Sequence, residues 1–181
     1  MARYLDRSTK QWVYPNPDYG SVEGAIRNPD LTGVEGVPQS RWIIEGDTVR
    51  APSSTETAAF DAADLEAAKE SRKQQIDNRT GEIIEAGSVN VNGVDISTSL
   101  AAQTSLNGMK GLYDIGLLTF PQEVSATNGG VYVINSLNDF KRIVGLVGVF
   151  VLTTKAEGRA LRAQVLACST VAEVDAVEDN R

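Results

Sequence analysis

Few residues in this chain could do chemistry, and they are scattered. Cys168 is the only thiol, and no histidine occurs among the 181 residues. A thiolate nucleophile needs a neighbouring base or positive field to form. With no imidazole to serve it, Cys168 reads as a structural cysteine at the end of an apolar stripe. The lack of histidine also removes the commonest general base and the commonest metal ligand. Carboxylates remain. Glu82 and Glu85 could act as the acid pair of a glycan hydrolase, but sequence spacing sets no separation between them. Asp61, Asp64 and Glu66 form one acidic group, and Glu173, Asp175, Glu178 and Asp179 another. Neither has the alternating ligands and turn glycine of a calcium loop, so both read as solvated helix faces. The glycines at 33–36 and 145–148 do not match a phosphate loop. The sequence predicts no catalytic residue, no cofactor and no metal site. What it offers is adhesive chemistry: Trp12, Tyr14, Tyr19 and Trp42 are of the type that anchors binding surfaces. They form either a partner-docking surface or a small local core.

The bulk properties narrow the class. Hydrophobic residues make up 41% and charged residues 23%, a balance that supports a folded core rather than a disordered chain. The net charge is −7, and the adjacent basic pairs Arg72-Lys73 and Lys141-Arg142 do not extend into runs. Nucleic acid is therefore not an expected partner, because phosphate binding requires clustered positive charge. The opening MARYLDRSTKQW has no apolar stretch of the kind a secretory leader requires. The longest apolar run, residues 143–152, is about half the length of a membrane span. No membrane insertion is expected.

The elements that must position these residues follow from periodicity and punctuation. Residues 1–39 carry Pro15, Pro17, Pro29 and Pro38 with glycines between them, which leaves no room for a long helix. This stretch is either an arm that orders on a partner or a loop-rich small domain with a short strand at 11–14. Residues 41–50 read as a hairpin turning at Gly46-Asp47. From about Thr55 to Asn78 the composition turns to Ala, Glu, Asp, Lys and Arg, and the apolar spacing is loose. This predicts an exposed helical spacer ending near Gly81. In residues 89–97, VNV and VDIS flank Asn92-Gly93, the signature of a type I′ hairpin. A helix follows from Ser99 with Leu106 and Met109 inward, and then a second hairpin over 118–135.

The largest apolar surface lies in residues 135–168. Ser136 and Asp139 form a capping pattern, and Leu137, Phe140, Ile143, Val144, Val147, Val151 and Leu152 recur at helical spacing. Leu161, Val165, Leu166 and Cys168 resume the stripe, with a bend or break expected around Gly158. Thr170 and Glu173 cap a short last helix, and the polar end from Glu178 to Arg181 is expected to fray.

This order of elements resembles a domain of unknown function found towards the C-termini of tailed-bacteriophage tail and tail-fibre proteins. The resemblance runs from Ser71 to about Glu178. It rests on RKQQID, VNVNGVDIST, SLAAQTSLNGM, VINSLNDF and RALRAQVLACSTVAEVDAVE. The upstream RWIIEGDTVRAPSSTETAAFDAA is similar to the short hairpin and acidic helix that precede that domain. The loop 125–130 lacks a tryptophan expected nearby in the family, and residues 1–39 lie outside the match. The family has no established chemistry, so no site residue is carried over. The resemblance implies a non-enzymatic virion structural protein of the tail, baseplate or fibre attachment. It would be made in the host cytoplasm, would contact other tail structural proteins and itself in a homo-oligomer, and would assemble through its N-terminal region. The alternatives are a tail-fibre assembly factor absent from the mature particle and a capsid decoration protein. The expected fold is α+β. It comprises an N-terminal arm with a small β-hairpin (1–52), a linker helix (53–82) and a C-terminal domain (83–181). That last domain combines β-hairpins with helices, one of them long and amphipathic.

Overall fold

A computed structural model of the chain describes residues 3–13 and 24–181. The fold is α+β, as the sequence predicts. Two compact units, Met1–Asp64 and Leu65–Arg181, divide inside a long helix, α1 (Ser54–Ala86).

The first unit is a small β structure with its own core. Strand β1 (Tyr4–Asp6) pairs antiparallel with both β2 (Trp12–Val13) and β3 (Ala25–Arg27). The turn after β1 is closed by the Asp6 carboxylate, which accepts from the Ser8 and Thr9 amides at 2.9 and 2.8 Å. These bonds favour the ionised form and hold Asp6 at about 2, below its usual 3.8. A hairpin of β4 (Ile43–Glu45) and β5 (Thr48–Arg50) turns at Gly46, whose φ of +58° suits glycine. Leu5, Ile26, Val34, Trp42 and Val49 fill the core. Of the two expectations for this region, the described residues form the small domain. Helix α1 begins on a capping box. The Ser53 hydroxyl accepts from the Glu56 amide at 3.3 Å, and Glu56 accepts from the Ser53 amide at 2.8 Å.

The second unit takes in the rest of α1 and everything after it. Hairpin β6 (Ser88–Val91) and β7 (Val94–Ser97) turns at Asn92-Gly93, with φ of +53° and +85°, the left-handed pair that a type I′ turn requires. Helix α2 (Leu100–Asp114) follows, capped by Ser99. A second hairpin, β8 (Gln122–Ser125) with β9 (Val131–Ile134), leans on the first through an isolated bridge between Ile96 and Ala126. Helix α3 (Leu137–Ala167) starts on the predicted Ser136 cap, and α4 (Val171–Asp175) starts on a Thr170–Glu173 capping box. One core joins both hairpins to α2 and α3 through Val91, Ile96, Leu106, Val124, Ile134 and Ile143. A separate cluster of Ile76, Val165 and Val174 joins α1, α3 and α4.

Four expectations are corrected. The helix predicted to end near Gly81 runs on to Ala86, because Gly81 meets nothing and costs the helix only its intrinsic penalty. Its second half is no exposed spacer, since Ile76 is buried and Ile84 packs on the main core. Helix α3 is unbroken through Gly158. Finally, the polar end does not fray. Asp179 and Arg181 form an ion pair that is largely withdrawn from solvent.

Candidate functional site

Of the aromatic residues singled out in the sequence, the two that the structure describes, Trp12 and Trp42, lie against the first unit's own core. Trp42 is 8% exposed, and its indole N–H donates to the Val37 carbonyl at 2.9 Å. Both its apolar body and its polar tip are spent inside the first unit, so of the two roles open to it in the sequence Trp42 takes a place in the local core. Trp12 is half-buried against the same core. Tyr14 and Tyr19 lie outside the described residues.

The acidic residues are engaged locally. Asp61 and Asp64 flank Arg41, with Asp61 at 2.7 Å, and the Arg41 guanidinium also stands 6.0 Å from the Phe60 ring centre. Glu82 pairs with Arg79 at 3.4 Å, whereas Glu85 accepts from the Leu100 amide at 3.0 Å and so helps cap α2. The two glutamates thus have separate tasks. Glu173 is consumed by its cap, and Cys168 donates to the Gln164 carbonyl at 3.3 Å. Among the described residues, no group of three or more Cys, Asp or Glu could hold a metal ion, and no helix is long and apolar enough to cross a membrane.

The feature that stands out is the middle of α3. Residues 143–152 read IVGLVGVFVL, apolar around the whole helix. Ile143, Val147 and Val151 are buried on the core side. On the opposite side Val149 is 63% and Leu152 65% exposed, with Leu146 beside them. The spacing of three residues puts 146, 149 and 152 along one face. Gly145 lies within this face and Gly148 beside it, and a Cβ added at either would meet nothing within 4 Å. Along one flank runs an open groove of about 580 Å³ lined by Ile83, Val89, Leu146, Val149 and Phe150, with Arg181 at its edge. A narrower cleft of about 170 Å³ lies on the other flank, between Leu106 of α2 and Val144, Val147 and Leu152 of α3. A helix face of this kind is normally covered, since burial of apolar surface is favourable by about 25 cal/mol per Å². Sequence reasoning identified the apolar run and a stripe within it that counted Leu152 with Ile143, Val147 and Val151. Only the fold shows which of its faces is left open.

Compared with protein-family models, with curated proteins and with solved structures, the chain has no significant match.

Proposed function

We propose that this protein is a non-enzymatic structural component of a bacteriophage tail, in the tail proper, the baseplate or the fibre attachment, and that its copies join through the open face of α3. The observation that carries this reading is the apolar face of Leu146, Val149 and Leu152 on α3, opposite the side that packs on the core. An exposed apolar patch rimmed by polar residues is typical of a protein–protein contact. Gly145 and Gly148 cost the helix about 1 kcal/mol each relative to alanine, and they leave room for another backbone to approach closely. The resemblance to phage tail domains supplies the setting, and the motifs behind it fall on consecutive elements from α1 to α4. Repeated, symmetric use of one surface suits a virion component. With Trp42 withdrawn into a core, the contact between copies is assigned to the second unit.

The test is a mass-spectrometric inventory of purified particles with tails separated from heads. The proposal expects the protein in tails at a fixed ratio to known tail components. Presence in heads alone would make it a decoration protein, and absence from both would make it an assembly factor. Either result overturns the reading.

A further inference from the structure

Helices α1 and α3 run antiparallel. Gly87, just past α1, faces Phe150, Thr80 faces Gly158, Asp77 pairs with Arg162 at 3.1 Å, and Ile76 packs with Val165. The segment after α4 lies along this pair and is gripped from both sides. Arg72 of α1 donates to the Val177 carbonyl, and Arg79 donates to the Arg181 carbonyl at 3.1 Å. In return the Arg181 guanidinium donates to the Thr154 carbonyl of α3 and to the Thr80 hydroxyl of α1, each at 3.0 Å. Asp179 holds that guanidinium in a two-pronged grip at 2.8 and 2.7 Å. The Arg181 side chain is only 13% exposed.

Gly158 makes this insertion possible. In a helix the Cβ of residue i+4 tilts back over the turn that carries carbonyl i, so the residue at 158 covers the Thr154 carbonyl. Glycine leaves that carbonyl open to a second donor. A Cβ at 158 would fall 2.5 Å from the Thr80 hydroxyl and 3.1 Å from the Arg181 guanidinium. The geometry points to residues 177–181 as a strap that locks the second half of α1 onto α3, with Arg181 as its bolt. Val177 of the strap packs against the Ile76–Val165–Val174 cluster, and Arg181 lines the apolar groove beside Phe150. Release of the strap therefore loosens α1 and reshapes that groove while the hairpin core stays intact.

Hydrogen exchange followed by mass spectrometry on the full chain tests this, comparing the wild type with Arg181→Ala, Arg181→Lys and Gly158→Ala. In Arg181→Ala and Gly158→Ala, amides in residues 74–82 and 156–166 are expected to exchange about tenfold faster, while residues 88–97 keep their protection. Arg181→Lys keeps the charge but loses the fork, so an intermediate acceleration is expected in the same peptides. Unchanged rates in both Arg181→Ala and Gly158→Ala would overturn the strap. A uniform acceleration across the unit would also overturn it, because the contact would then be one more part of the global fold. If Arg181→Ala does not fold, the same local-against-global comparison in Arg181→Lys decides.

Discussion

Asn92 shows how much one residue can carry. Its left-handed backbone makes the first turn of the second unit, and its side chain then reaches two other elements. The amide donates to the Tyr132 hydroxyl on β9 at 3.0 Å, and its oxygen accepts from Arg142 on α3 at 3.0 Å. The turn was legible in the Asn-Gly pair. The two links were not, because they depend on which elements the core brings alongside. Replacement of Asn92 by alanine removes both bonds and a residue type that tolerates φ of +53°. A loss of about 1 kcal/mol is expected, read as a lower urea midpoint at constant slope.

Glu56 gives a second prediction at this scale. Two bonds from Arg50, then those from Ser53, hold its carboxyl at about 2, below the usual 4.5. A depressed carboxylate contributes stability that is complete above its unfolded pKa. That contribution falls away as pH drops from 4.5 through about 2. Glu56→Gln should flatten the loss of stability between these limits, measured by denaturant titration at successive pH values. An NMR titration of the Glu56 carboxyl that placed its midpoint at the ordinary value would contradict the assignment.

Among the elements, the three hairpins and the caps of α3 and α4 could be read from short motifs, since turn chemistry and capping are local. The fate of α1 could not. Its apolar spacing is sparse because much of what holds its second half is polar. Arg72, Asp77, Arg79 and Thr80 make hydrogen bonds or ion pairs there, beside the apolar contacts of Ile76 and Ile84. Gly158 was misread for the same reason. Alone in a helix, glycine suggests a bend. Opposite Thr80 and Arg181 it is a seat. Helix α3 is the element on which the rest of the unit depends, and Ile143, fully buried in the main core, tests that most cleanly. Ile143→Ala should cost about 2–5 kcal/mol, through lost burial and the cavity left behind. A cost below 1 kcal/mol by chemical denaturation would mean that the core closes without it.

For the whole molecule, the α+β architecture and the absence of basic clustering were accessible from composition and order of elements. The open surface was legible only in part: helical spacing picked out Ile143, Val147 and Val151 as one stripe, but it counted Leu152 with them, and in a run that is apolar on every side nothing marks where the stripe ends. The structure buries Ile143, Val147 and Val151 and leaves Val149 and Leu152 to water. If that face joins copies, its association should be sensitive to charge and insensitive to the fold behind it. The most direct measurement is sedimentation velocity on the full chain over a concentration series, comparing the wild type with the double variant Val149→Asp, Leu152→Asp. The account predicts a concentration-dependent oligomer for the wild type and a monomer for the variant, with matching circular dichroism. A wild type that stays monomeric throughout, or a variant that associates equally well, would contradict it.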